Sequence, residues 1–550
     1  MIIGLDVGGT HTDVVLMEDR KILSFTKAAT NHQNLLDTIR QGLADVLHSR
    51  RPEAVERLHL STTLSTNAIV ENTLEPVGVL ASAGPGIHPQ HYRIGEHYSL
   101  IDGGLDHRGT EIRPLNSRQL HEVVTACQQD NIKLYAVISK FSPRNPAHEQ
   151  QMCAALNNHA DYVTVGHHLS GQLNFPRRIA TAYYNSAVWR IHTHFADAME
   201  QSLQEFGLRA SVHILKADGG TMPMTVARKF PVESILSGPA ASVMGILALC
   251  DIYEDAVILD IGGTTTDIAI FTGGVPLIEP QGMAFNGHQT LVRALKTRSI
   301  GIGGDSALHL SEHGVTVGPN RLGPAMAQGG QHPTLIDACN VKGIAAYGDI
   351  QASQAGLRQL AASASLSPEK LAEEAIQYAA RAIRCEAEHL LTDINARPVY
   401  TIHEFLEKKT IRPQTLYVMG GPAQTFSQFL AAEFSYPIIV PENYAVANAV
   451  GAALTRQTIE LELFADTEKK VMLIPTLNVQ QNISGRYSLE DAKQDAVRYL
   501  HEYVRLLAVR EAAQFIEVTE AESFTMVNGF QATGRNIRVK CQIKPGIRKN

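Results

Sequence analysis

No two of the six cysteines (Cys127, Cys153, Cys250, Cys339, Cys385, Cys541) stand close enough to form a C-x-x-C pair or a cluster. Their dispersal excludes a disulfide framework and a cysteine-based zinc site, and it predicts reduced, mostly buried thiols in a cytoplasmic protein. Long apolar runs are missing too, none approaching the roughly 20 residues a membrane span needs. The chain opens directly on an apolar strand, so no cleavable leader is expected. A basic excess is also absent: 48 Lys and Arg against 55 Asp and Glu give a formal charge of −7, which offers no surface for nucleic acid. His88, His91, His167, His168, His192 and His194 do not combine with cysteines or carboxylates into a ligand pattern, which argues against a metal centre built from them. The 44% hydrophobic and 19% charged residues are the balance of a folded globular chain. At 550 residues it is too long for one core, and three or four units are expected.

What is present is a repeat. Leu5 to Asp13 reads LDVGGTHTD and Leu259 to Asp267 reads LDIGGTTTD, with seven of nine positions identical. Apolar residues flank both copies, so each predicts a buried strand, a tight turn and a returning strand. The paired glycines let backbone approach a ligand and the threonines add donors, a combination that cradles phosphate. Asp6 or Asp260, ending the first strand of each hairpin, would stand where a cation bridging phosphates needs an oxygen ligand.

Around the repeat the pattern alternates strand and helix, the signature of an α/β chain. Residues Ser61 to Asn67 (STTLSTN) open an apolar helix, where the hydroxyls either cap the helix or line a ligand pocket. Gly84 to Pro114 reads as an excursion from the core, Ile179 to Phe206 as one long helix, and Val212 to Lys216 as a strand leading into ADGGT. A small-residue helix precedes the second hairpin (SGPAASVMGILAL), and another, AVANAVGAAL, follows the turn GGPA at Gly420 to Ala423. Ile300 to Ser306 (IGIGGDS) is a further glycine-rich turn. From about Asp466 the character changes: a charged helix, Leu489 to Gln514, precedes a basic strand-like run, Asn536 to Ile547. The expected units are residues 1–250, 251–465 and 466–550, with the 445–460 helix returning to the first.

In this order the motifs DVGGTHTD, STTLSTNAIVE, ADGGTM, ESILSGPAASV, DIGGTTTD, IGIGGDS and VMGGPA resemble the hydantoinase/oxoprolinase family, within the actin, sugar kinase and heat-shock ATPase superfamily. The resemblance covers roughly residues 1 to 460. It implies two ribonuclease-H-like domains around a nucleotide cleft, with a small α+β segment appended. It also implies ATP and Mg²⁺ as cofactors. Gly8, Gly9, Thr10 and Thr12 would form one phosphate loop and Gly262, Gly263, Thr264, Thr265 and Thr266 the other, with Gly303 and Gly304 nearby; Gly420, Gly421 and Pro422 would meet the adenosine. Asp6 and Asp260 become the metal-side carboxylates, while Asp13 and Asp267 either orient the loops or act in catalysis. Thr62, Thr63, Thr66, Asn67, Asp218 and Gly219 would face the substrate, with Glu233 either positioning a nucleophile or pairing with a basic residue.

The activity so implied is the ATP-dependent opening of a cyclic amide such as a hydantoin, oxoproline or related lactam, through phosphoryl activation of the amide oxygen and attack by water. A small-molecule kinase of the same superfold and an ATPase module driving a partner protein are the alternatives. A small-molecule substrate, a separate hydrolase-type subunit and a homo-oligomer are the expected partners. His11, Arg298 and Asp305 depart from the family's usual residues in or near the cleft, and residues 466–550 do not match its usual C-terminal region.

Overall fold

The computed structural model describes all of the chain except residues 32–33, 49, 280, 313, 363–365, 397–409, 508–513, 529 and 549–550. Its first sheet contains β1 (Ile2–Val7), β2 (His11–Glu18), β3 (Lys21–Ala29), β4 (Arg57–Thr62), β5 (Ser211–Leu215) and β6 (Thr221–Pro223), in the spatial order β6-β5-β4-β1-β2-β3. A second sheet repeats the plan with β7 (Ala256–Ile261), β8 (Thr266–Thr272), β9 (Thr297–Ile300), β10 (Thr415–Met419) and β11 (Ile438–Ile439). In both, an antiparallel hairpin is joined by parallel strands on the side of its first strand. This is the ribonuclease-H-like arrangement, present twice. β7 and β10 are buried along their whole length, as strands covered on both faces are.

Two small-residue helices, α1 (Ser237–Leu249) and α2 (Ala447–Leu454), cross between the sheets. A Cβ on Gly245 would lie 2.5 Å from Ala447 O, one on Gly451 would lie 2.3 Å from Gly245 N, and one on Gly4 of β1 would lie 2.0 Å from Ala449 O. Backbone meets backbone at these points, so only glycine fits.

Residues 77–165 form a separate parallel sheet whose strands Val77–Ser82, Tyr98–Leu100, Leu134–Ser139 and Tyr162–Val165 lie side by side. The Gly84 to Pro114 stretch is therefore not wholly an excursion, because Tyr98–Leu100 pairs into this sheet and Ile94, Ile101 and Leu105 are buried. The single helix expected over Ile179 to Phe206 is two, Phe175–Ala187 and Trp189–Glu205, meeting at Val188. The first packs into the core of the inserted sheet and the second into that of the first sheet, so a straight rod would not serve both. Its first residue, Trp189, stacks on Tyr162 with ring centroids 4.7 Å apart.

The terminal unit is a five-stranded antiparallel sheet, including Glu460–Asp466 and Gln531–Ile543, covered by the helix Leu489–Leu506. The rest of the expected Leu489 to Gln514 helix, at residues 508–513, lies outside the described residues. Among the described residues no helix is long and apolar enough to cross a membrane.

Candidate active site

The two hairpins face each other across one cavity of about 590 Å³. A Cβ added to Gly263 would lie 2.7 Å from the Thr10 methyl, so the turns pack together. Each is closed by the same bond, Gly8 N–H to His11 O at 3.0 Å and Gly262 N–H to Thr265 O at 2.9 Å. The IGIGGDS turn clasps the second hairpin, since Gly304 N donates to Gly262 O and Asp305 N to Gly263 O.

Pairing sets four carboxylates around the cavity. Asp6 lies directly opposite Asp13 across β1 and β2, and Asp260 opposite Asp267 across β7 and β8. Like charges opposed in a ladder repel. The two halves relieve this differently. β3 brings Lys27 into register with Asp13, and its ammonium lies 2.7 and 2.8 Å from the two carboxylate oxygens. At the corresponding position β9 offers Ser299, whose hydroxyl donates to Asp267 but carries no charge.

Burial, then the charges of Asp13 and Asp260, raise Asp6 from 3.8 to about 7; burial, then Asp260, raise Asp267 to about 7. Burial also raises Asp13, against the pull of Lys27. His11 lines the cavity and is pushed down to about 4 by burial and by Lys27 and Arg321, so its ring is neutral at pH 7. The folded protein thus holds protons on Asp6 and Asp267 that the unfolded chain releases near 3.8. The stability this confers is fully present below that pH and is lost as pH rises through about 7. In chelator Asp267→Asn, which removes one of these groups, should gain in melting temperature relative to the parent chain as pH rises from 4 to 7.5, and Mg²⁺ with nucleotide should shrink that difference; a difference that does not change with pH over that range would contradict the assignment.

Asp260 is the most elaborately held of the four. Its Oδ2 accepts from Ser242 Oγ of α1 at 2.6 Å and from Asn448 Nδ2 of α2 at 2.9 Å, while Oδ1 lies beside Gly420, where a Cβ would come within 2.5 Å. The crossing helices therefore present one donor each to a single oxygen. Among the described residues no three His, Cys, Asp or Glu side chains form a ready-made metal cage. Magnesium does not require one, because it keeps waters and takes one or two carboxylates together with phosphate oxygens. A cavity walled, among the described residues, by five carboxylates and a single lysine, with glycine turns admitting backbone to a ligand, suits a divalent cation carrying phosphates.

Of the residues singled out in the sequence, Gly8, Gly9, Thr10, Gly262, Gly263, Thr264, Thr265, Gly304, Gly420, Gly421, Pro422 and Thr63 line this cavity with the four aspartates. Thr12 and Thr266 do not. Each precedes its aspartate by one position on a strand and so points to the opposite face; Thr12 Oγ1 pairs with Thr30 and Thr266 Oγ1 with Ile302 O. Gly303 packs on the Gly263 backbone. Thr62 and Thr66 are occupied with the chain around α1, Thr62 N donating to Ser237 Oγ and Thr66 Oγ1 accepting from Leu236 N. Asn67 donates to Thr63 Oγ1 at 3.4 Å. Asp218 and Glu233 line a different cavity, both paired with Lys216, and Gly219 packs toward Met244 and Leu295. Asp305 and His11 do face the cleft, but Arg298 turns away to Glu386 and Asp393. Unforeseen in the sequence were Lys27, Ser242 and Asn448. Asn448 is the one strongly polar side chain in AVANAVGAAL, a signal that was there to be used.

The hydantoinase/oxoprolinase N-terminal region matches residues 2–160, and the hydantoinase/oxoprolinase family proper matches residues 178–461. The chain belongs to the hydantoinase/oxoprolinase family. Within the reach of this family, the caprolactamase subunit alpha of Pseudomonas jessenii is 26% identical over 493 residues, spanning 82% of this chain and 70% of that protein. The acetophenone carboxylase gamma subunit of Aromatoleum aromaticum is 23% identical over 394 residues, 62% of this chain and 53% of its own length. Among solved structures, nucleotide-free acetone carboxylase superposes with a TM-score of 0.74 at 16% identity, covering 100% of this chain and 88% of that one. ATP-dependent caprolactamase from Pseudomonas jessenii superposes with a TM-score of 0.69 at 20% identity, covering 98% and 87%. The likeness of fold thus takes in the terminal unit that the family match, ending at residue 461, leaves out.

Proposed function

We propose that this chain uses ATP and Mg²⁺ to transfer a phosphoryl group to the carbonyl oxygen of a cyclic amide, a lactam or cyclic imide, so that water opens the ring. The observation that carries the reading is the pair of mirrored hairpins closing on one cavity, with Asp260 in the field of the other three aspartates. The names of the relatives support it: one opens a lactam with ATP and another carboxylates acetone with ATP. Both substrates offer a carbonyl oxygen to a phosphoryl group.

Magnesium bound at the cavity would neutralise charge on the phosphates during transfer. Ser242 and Asn448 fix Asp260 through Oδ2. Lys27 pulls Asp13 toward its ionised form and ties β3 to Ala445 O beside α2. Asp267 has no lysine and titrates near neutrality, which suits its carboxyl to take a proton from an attacking water. The division into residues 1–250 and 251–465, the two domains that close on the nucleotide, with residues 466–550 appended, belongs to this reading. So does a separate partner subunit, since two relatives carry subunit names.

The test measures ADP and free phosphate from the full chain against a panel of lactams, hydantoins and oxoproline, with and without a candidate partner subunit. Equal ADP and phosphate, with ring-opened product, is the expected result. ADP with a phosphorylated product and no free phosphate would replace the reading with a small-molecule kinase; stimulation by protein alone would replace it with a partner-driving ATPase.

A further inference from the structure

A second cavity, of about 180 Å³, lies where the terminal unit meets the first sheet and shares no lining residue with the phosphate cleft. Val226, Phe230, Leu291 and Tyr503 give it an apolar wall. Opposite stand three cations and four carboxylates. Lys216 lies 3.3 Å from Asp218 and 3.5 Å from Glu233. Arg293 and Lys540 both serve Glu460, at 2.6 and 2.8 Å.

Glu462 is left over. It accepts from Ser170 Oγ at 3.0 Å and from Gln172, and among the described residues no Lys, Arg or His nitrogen comes within ion-pair distance of it. His168, which also lines the cavity, supplies no charge at pH 7, because burial pushes it down to about 4. Burial and the neighbouring Glu460 raise Glu462 in turn, against the pull of Lys540, which stands opposite it in the strand ladder but makes its contact with Glu460. A half-buried carboxylate with no cation in contact is costly, and a ligand that brings one offsets the cost. A concave site with one apolar wall and one convergent charge is how small amphipathic molecules are held.

We propose that this cavity binds a small molecule with an alkyl body and a primary ammonium, the ammonium against Glu462 and the alkyl chain along Val226, Phe230 and Leu291. The test is calorimetry on the full chain with hexylammonium, and with hexanoate as the probe of opposite charge. Saturable binding of hexylammonium is expected, at least tenfold tighter than hexanoate. Glu462→Gln, which keeps the shape and the Ser170 bond, should weaken it tenfold or more. Val226→Trp, which fills the apolar wall and leaves the charges alone, should abolish it and decides the matter if the first variant fails to fold. Asp260→Asn should leave it unchanged, so the outcome is independent of the phosphate-cleft reading. No saturable ammonium binding, hexanoate binding as tightly, or ammonium binding unaltered in the folded variants would overturn the proposal.

Discussion

Asp260→Asn should lower nucleotide-dependent turnover by about 10³-fold or more, the scale expected when a charge aimed at a phosphoryl-transfer site is lost. The same change should leave the fold intact. The amide oxygen still accepts from Ser242 and Asn448, the two bonds that hold the native carboxylate. It also removes the negative charge that raises Asp6, Asp13 and Asp267. The melting temperature in chelator should therefore stay level or rise while activity disappears. Retained turnover would mean that the nucleotide site is elsewhere. A large fall in melting temperature would mean that Asp260 serves the structure instead.

Gly451→Val is expected to be among the most destabilising single changes, by ~3 kcal/mol or more, the upper part of the range for overpacking. The added Cβ would come within 2.3 Å of Gly245 N and 2.7 Å of Gly245 Cα. These are backbone atoms of α1 and cannot swing aside as a side-chain end can. Parting the helices also separates Ser242 from Asn448, so nucleotide affinity should fall with stability. Gly421→Ala is the control, because a Cβ there meets nothing within 4 Å although the residue lines the cleft. It should melt like the parent chain and change nucleotide affinity only. A normal melting curve for Gly451→Val would show that the helices do not cross this closely in solution.

Much of the cleft was readable because its chemistry sits in short consecutive stretches. A strand, two glycines, a threonine and an aspartate report a phosphate hairpin wherever they occur, and two copies report a pair. Strand alternation was readable as well: the side-by-side positions of Thr12 and Asp13, or Thr266 and Asp267, already imply opposite faces. Thr12 and Thr266 could have been set aside on that ground. The split at Val188 was not readable, since the apolar stripe runs on through it and only the position of two separate cores requires a break.

By itself, then, the sequence determined the two hairpins, the small-residue helices and the family, because each is local or repeated. Only the tertiary structure decided which groups share a site. Lys27 reaches Asp13 through strand register, while Ser299 occupies the matching place beside Asp267, so two near-identical motifs differ in charge. Ser242 and Asn448, 206 residues apart in the chain, meet on one oxygen of Asp260 because glycines let their helices touch. Asp218, which the resemblance had placed toward the substrate, and Glu233, for which it left open a nucleophile-positioning role or a basic partner, lie in another cavity that the terminal unit completes, both paired with Lys216. Register, helix crossing and domain contact are long-range pairings, and residue spacing along a single chain does not encode them.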